Sequence, residues 1–479
     1  MSEILLIDTN TTPFNEAFPV YPIGLDYLQG ALEAAGLGRA SILDLTRAGG
    51  PVGEGGWAER QARSLALIEQ ALGSRSWDII GLSLRNIDST YPVLEGDPGL
   101  HHYLPQLTAY LDLVQERADP RTQVVLGGTA FSMMPDYFLE KRPENWQGLT
   151  GPAEASFGEL ARTILNGGSA SGPAVEVEPV LGGLQNVELL GRYLDRPISE
   201  STFGLRTKLG CGQHCGYCPY PLINGPRQRL KDPEQVVAEL RLLKSVHDAH
   251  PSAQPWRFMF ADDIFNRPLL HAKAVLRAMV EPGLIPFSWH AYLDPGQIDA
   301  GFLDLAAGTN GWCRHEQPDG TGRRAMFFPF DIESGSDRML RALGKPFTRD
   351  DLFQAVDVFK KASAGWLERG EMDYAGFGLH LLVGYPGEDE ESITETCDFI
   401  NQTRPQEVAV QLGVRVYPRT PLARLTRGAL WQEEADLYGP TSVPLDEGAV
   451  LTWLRRHLDE GYDRLSRKGN MLVIGRGDD

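Results

Sequence analysis

Three of the chain's five cysteines, Cys211, Cys215 and Cys218, fall within eight residues, in the segment LGCGQHCGYCPYP. The spacing is C-x3-C-x2-C, and it follows directly on a strand-like run, Leu205–Lys208. Five cysteines in 479 residues are too few for a disulfide scaffold. Clustered in an otherwise Cys-poor chain, they point to a metal site in a reducing compartment. Three thiolates on one short loop can each hold one iron of a [4Fe–4S] cube, leaving the fourth iron without a protein ligand. An open coordination position is what separates reactive from structural metal sites. Gly210, Gly212 and Gly216 suit tight wrapping, because glycine tolerates positive φ. Two other donor sets stay open on this reading: a zinc site completed by His214, and a cluster closed by Cys313 or Cys397.

The flanking sequence alternates strand-like and amphipathic stretches. Before the loop, apolar runs at Ile4–Ile7, Ser41–Leu45, Asp78–Ser83, Thr122–Gly128 and Leu149–Gly151 are separated by helical patterns. Those patterns cover Pro22–Gly36, Trp57–Gly73, His102–Arg117 and Ala153–Leu165. This rhythm predicts a parallel sheet covered on both faces, with ligands beyond the carboxyl ends of its strands. Residues 167–200 are rich in Gly and Pro and read as a linker. A second series follows, with strands expected at Leu205–Lys208, Arg257–Ala261, Ser288–Tyr292, Ala325–Ile332, Gly378–Val383 and Val408–Val416. Six strand–helix units suggest a partial or full β/α barrel. The fold class is thus α/β: a Rossmann-like (flavodoxin-like) parallel sheet over 1–166, a partial (β/α)6 barrel over 201–425, and a small, mostly helical segment over 426–479.

Lys and Arg number 45 against 64 Asp and Glu, a formal charge of −19. So acidic a chain is poorly suited to holding nucleic-acid phosphate. The N-terminus, MSEILLIDTN, lacks the basic and apolar regions of a signal peptide, and no apolar run reaches 18 residues. A cytoplasmic protein without nucleic-acid or membrane partners is the expectation.

The cysteine spacing and several later motifs resemble the radical SAM superfamily over about residues 200–425. Tyr217, before the last cysteine, stands where that family has an aromatic residue near the adenine of S-adenosylmethionine (SAM). FADDIF (Phe260–Phe265) resembles the acidic second-strand motif of its cobalamin-associated branch, which implies a SAM or substrate role for Asp262 or Asp263. FDIESGSDRMLRALGKPFT (Phe330–Thr348) resembles the fourth-strand segment carrying a SAM-contacting glutamate, here Glu333. GYPGEDEES (Gly384–Ser392) and RVYPRTPL (Arg415–Leu422) resemble later barrel motifs, the first most simply a turn.

A parallel α/β unit ahead of such a barrel resembles the cobalamin-binding domain of B12-dependent radical SAM enzymes. The resemblance implies cobalamin contacts on the loops after successive strands: Ser83 and Arg85 in SLRNID, Gly127, Gly128 and Thr129 in VLGGTAFSMMP, and Gly151 and Glu154 in TGPAEASF. The D-x-H-x-x-G motif that supplies a cobalt-ligating histidine in other cobalamin domains is missing, and His101 and His102 are the only histidines before residue 200. Base-off cobalamin without a histidine ligand is therefore expected, with Arg85 beneath the cobalt. The implied activity is methyl transfer by way of methylcobalamin, driven by SAM cleavage at the [4Fe–4S] cluster, to an unactivated carbon or phosphorus of a small molecule or peptide. A flavodoxin or ferredoxin would donate the electron. A rearrangement on the same cofactors is the alternative, and a non-catalytic Fe–S redox protein a more distant one. Trp312, Arg314 and His315, in the loop 308–324, are weaker substrate-pocket candidates, and the C-terminal segment a candidate lid.

Overall fold

The structure is a computed structural model that describes residues 3–9, 20–47, 56–88, 102–168, 175–176, 182–195, 202–250, 255–280, 283–311, 313–315, 324–439, 441–468 and 470–476. His101 and Trp312 lie outside the described residues.

The first sheet holds β1 (Ile4–Asp8), β2 (Ser41–Asp44), β3 (Ile79–Ser83), β4 (Gln123–Gly127), β5 (Trp146–Thr150) and β6 (Val175–Glu176). Its order is β2-β1-β3-β4-β5-β6 and every pairing is parallel. The apolar run ILLID is buried at all five positions, as a central parallel strand covered on both faces requires. One face packs against the helices Ile23–Ala34 and Glu154–Leu165 through Leu25, Leu32, Phe157 and Ala161. The other packs against the helices Gly56–Gly73 and Leu104–Arg117 through Ile68, Leu107 and Leu111. The order reverses at β1 and β3, the switch point beyond which such sheets open a cleft.

The second series comprises β7 (Gly204–Leu205), β8 (Lys208–Leu209), β9 (Arg229–Leu230), β10 (Arg257–Phe260), β11 (Ser288–Ala291), β12 (Cys313–His315), β13 (Arg324–Glu333), β14 (Tyr374–Val383) and β15 (Glu407–Leu412). Strands β7, β10 and β11 form one parallel group, and β13, β14 and β15 another. A parallel bridge from Trp289 to Gly311 and the antiparallel pairing of β12 with β13 join the two groups. Phe258, Phe260, Phe328, Phe330, Phe377 and Leu379 build their shared core beneath the surrounding helices.

Two expectations are corrected. Within 167–200, read as a linker, the helix Val187–Leu194 is capped by Asn186 and buries Leu189, Leu190, Tyr193 and Leu194 in the second core. Its apolar residues fall at helical spacing, a signal the surrounding Gly and Pro obscured. The segment 426–479 is not mostly helical. After the helix Glu447–His457 it forms a hairpin, β16 (Arg464–Lys468) and β17 (Met471–Gly475). Strand β17 pairs antiparallel with β15 and covers its open edge, while β16 carries Arg464 and Arg467 on the outer edge, as exposed edges commonly do.

Candidate functional site

The cysteine loop leaves β8 and returns through β9, and their antiparallel pair pinches its base. Gly210 turns at φ +82°, where a Cβ would run into the carbonyl of Arg227. Gly212 and Gly216 do not adopt positive φ. Gly216 is required for a different reason, since a Cβ there would overlap the Tyr385 hydroxyl. Gly216 N–H donates to Leu343 O and Gly216 O accepts from Leu422 N–H, both at 2.8 Å. The loop is thereby tied to two separate segments, one after β13 and one after β15.

Cys211 and Cys215 are buried and Cys218 is half-buried. Burial above all, with the neighbouring thiols adding to it, pushes the Cys215 thiol up to about 11 against the Lys345 ammonium, and the Cys218 thiol up to about 12. Metal loading here must therefore displace protons. No three His, Cys, Asp or Glu side chains among the described residues are gathered tightly enough for a single metal ion. The three thiols nevertheless bear on one another electrostatically. His214 is exposed, and Cys397 lies on the buried face of the helix Glu390–Thr403, sealed in the second core and away from the three. Cys313 lies in β12, its backbone paired with Met326.

The acidic residues divide by role. Asp262 is fully engaged inside the protein: Oδ1 accepts from Thr207 N–H (2.8 Å) and Lys208 N–H (3.1 Å), and Oδ2 from Thr207 Oγ1 (2.5 Å). It props the base of the cysteine loop. Asp263 accepts from Asn224 Nδ2 at 2.6 Å, while its other oxygen is buried without a partner. Burial pushes its carboxyl up to about 6. Glu333 sits at a bulge in β13 with φ +57°. Its Oε1 accepts from Tyr217 Oη (2.7 Å) and Lys345 Nζ (2.6 Å), and its Oε2 is buried without a partner. Burial works against the Lys345 ammonium, but Glu333 and Cys215 outweigh it and hold its pKa above the usual lysine range. Tyr217 is thus a partner of Glu333, with the Lys345 ammonium 5.6 Å from its ring centroid.

A cleft opens at the carboxyl ends of β3, β4 and β5. Ser83, Gly127, Gly128, Thr129, Gly151 and Glu154 all line it. Gly128 takes φ +92°, and a Cβ there would lie 2.8 Å from Leu84 N, so the β4 loop can only pass β3 this closely as glycine. Glu154 pairs with Arg206 at 3.3 Å, and its second oxygen is buried and unpartnered. Arg85 is not among the lining residues; its carbonyl accepts from Ala130 N–H, and its charge bears on the Tyr220 hydroxyl. His102 bonds the carbonyl of Tyr438 through Nε2 (2.7 Å), away from the cleft.

Three cleft residues, Arg206, Ile223 and Asn224, come from the second series. Ile223 inserts into the first sheet's core, and its carbonyl faces Gly151. The segment Arg415–Leu422 also crosses the seam. Arg415 pairs with Asp88, Tyr417 Oη donates to Asp88 (3.1 Å) and Arg419 donates to Ser132 O (3.2 Å). Gly384–Ser392 is a turn followed by a capping box at Asp389. Sequence reasoning missed Lys345, Arg206, Asn224 and Arg415 as site residues. Lys345 and Arg415 lay inside motifs already marked, but nothing local named their partners.

No protein-family model matches the chain. Among curated proteins it is 23% identical over 221 residues to tRNA-2-methylthio-N(6)-dimethylallyladenosine synthase of Desulforamulus reducens, covering 45% of this chain and 42% of that protein. It is 24% identical over 216 residues to the ribosomal protein uS12 methylthiotransferase RimO of Bacteroides thetaiotaomicron, covering 44% of each. The chain thus spans less than half the length of these relatives. Among solved structures, the radical SAM methyltransferase TsrM from Kitasatospora setae, with tryptophan and a SAM analogue bound, superposes with a TM-score of 0.65 and 21% identity, over 100% of this chain and 86% of that one. OxsB with aqua-cobalamin and SAM bound gives 0.60 and 13%, over 100% and 65%. The fold is that of these cobalamin-dependent radical SAM enzymes.

Proposed function

We propose that the chain is a cobalamin-dependent radical SAM methyltransferase acting on a small molecule or peptide. The observation that carries this reading is the shared wall: Ile223 and Asn224 line the sheet-end cleft and belong to the same loop as Cys211, Cys215 and Cys218. Residues 1–166 are read as the cobalamin-binding domain, and 201–425 as a partial (β/α)6 barrel in which β7, β10, β11, β13, β14 and β15 are the six parallel strands. When bound, a [4Fe–4S] cluster with SAM supplies a 5′-deoxyadenosyl radical, and cobalamin carries the methyl group.

The chain's own residues do the rest. Cys211, Cys215 and Cys218 would hold the cluster. Glu333, held by Tyr217 and Lys345, presents its unpartnered oxygen to a donor group of SAM. Asp263 offers a second buried acceptor beside the loop. Ser83, Thr129 and Glu154 offer polar groups to the cobalamin tail, while Gly127, Gly128 and Gly151 let the backbone come close. Arg85, on the same β3 loop, would stand beside a cobalamin held there as a cation that cannot itself ligate while protonated. The electron comes from an external flavodoxin- or ferredoxin-type donor. No helix among the described residues is long and apolar enough to cross a membrane.

Anaerobic reconstitution with iron, sulfide and cobalamin, followed by incubation with methyl-labelled SAM and candidate substrates, tests the reading. Methyl transfer yields labelled product with both S-adenosylhomocysteine and 5′-deoxyadenosine. SAM cleavage with no labelled product favours a rearrangement, and absence of cleavage overturns the proposal.

A further inference from the structure

One polar pair in the second series is used neither by the thiol loop nor by the cleft. Along β13 and β14, Phe328, Phe330 and Phe377 turn toward the helix Arg349–Glu368, where their ring centroids lie 5.5–6.0 Å from that of Phe359. Alternation along each strand sends Phe327, Asp331, Gly376, Gly378 and His380 to the opposite, inner face. At the amino end of that face the ring of Phe327 lies across Gly378, 2.8 Å from where a Cβ would stand, and the Tyr374 hydroxyl covers Gly376. These rings give the inner face an apolar floor.

Above the floor, Asp331 stands opposite His380 in the β13–β14 register. His380 Nδ1 lies 2.7 Å from Asp331 Oδ1. His380 keeps 47% of its side-chain surface accessible and Asp331 27%. Since the helices cover the other face, that surface belongs to the inner face. Two residues further along β13 comes Glu333, which approaches Cys215 through Lys345. The pair therefore sits between the apolar floor and the thiol loop.

A carboxylate on Nδ1 selects the tautomer with the proton there, leaving Nε2 of the neutral ring as an acceptor. No described residue takes up Nε2. The charged groups bearing on the ring are Asp331, Glu333 and Glu407, with Lys345 bound to Glu333. Three carboxylates disfavour an anion at this point.

We infer that His380, oriented by Asp331, accepts a hydrogen bond from an N–H or O–H of the substrate, and that the substrate presents this donor on an apolar ring rather than on an anionic group. This rests on the reading of the inner face as the substrate chamber of the proposed enzyme. Asp331 is a positioning residue that acts through His380.

Indole and 1-methylindole differ by the N–H in question and serve as probes. Their affinities for the reconstituted holoenzyme are compared by calorimetry at a pH above the His380 midpoint that NMR titration gives, because only the neutral ring accepts at Nε2. Wild type is expected to bind indole about three- to ten-fold more tightly than 1-methylindole, the worth of one neutral hydrogen bond. His380→Phe is expected to bring the ratio to about one, and His380→Gln, whose carbonyl still accepts, to retain part of it. Cluster absorbance and melting temperature establish that the variants fold. Equal affinities in wild type, no binding of either probe, or an unchanged ratio in His380→Phe overturns the inference. SAM cleavage by the same wild-type preparation separates the two readings: cleavage without discrimination sinks only the His380 assignment, whereas no cleavage sinks the proposed function.

Discussion

Arg415 and Asp88 meet across the seam between the first sheet and the second series of strands, Nε to Oδ2 at 2.6 Å, with side chains 5% and 2% exposed. The other guanidinium nitrogens donate to the carbonyls of Val416, Leu437, Thr441 and Gly439, so the buried charge is fully satisfied. Removing one member leaves the other charged in a dry place. Arg415→Ala is expected to destabilise the protein by about 3–5 kcal/mol, and Arg415→Lys by less, because a lysine cannot reproduce the fork of donors. Urea unfolding measures this; a loss below about 1 kcal/mol would show that the pair does not fasten the seam.

Alanine at Cys211, Cys215 or Cys218 is expected to abolish the cluster absorbance and most of the bound iron. Alanine at Cys397 is expected to leave iron loading intact, because that thiol lies in the core. Iron per chain after reconstitution decides, and loss of iron in Cys397→Ala would restore the closed-cluster alternative.

Gly128→Ala is expected to cost about 1–3 kcal/mol, from positive φ and from contact with the Leu84 backbone. It should also weaken cobalamin binding, since the β4 loop must then retreat from β3. An absorbance titration with cobalamin reads the second effect; an affinity equal to wild type would remove Gly128 from the site.

Burial alone would lower the His380 pKa, but the hydrogen bond and charge of Asp331 outweigh it and raise the value above 6.5. A histidine raised in the folded state contributes stability that is fully present below its unfolded pKa. That contribution is lost as pH rises through the raised folded value. NMR titration of the imidazole is expected to show a midpoint above 6.5 in wild type and a lower one in Asp331→Asn. A midpoint unmoved by that substitution would mean that the pair does not form in solution.

The cysteine loop stands out in the sequence because its three thiols are nearly contiguous, and the fold keeps them on one short loop between β8 and β9. Ser83, Gly127, Gly128, Thr129, Gly151 and Glu154 were legible because loops after parallel strands converge at one end of a sheet. Roles set by distant partners were not. Asp262 is occupied by Thr207 and Lys208, and Tyr217 is bound to Glu333 over a separation of 116 residues. The hairpin Arg464–Gly475 was misread because strand β16 is short and charged, and owes its conformation to pairing rather than to its own pattern.

The Ile223–Asn224 contact with the first sheet carries a consequence for how ligands arrive. Only four residues lie between Cys218 and Ile223, and the one-turn helix Tyr220–Ile223 ends on the latter. Whatever fills the compartment on one side of this partition sets the backbone that the other side must use. Occupants of the two compartments are therefore expected to influence each other's affinity reciprocally, with the partition itself as the messenger.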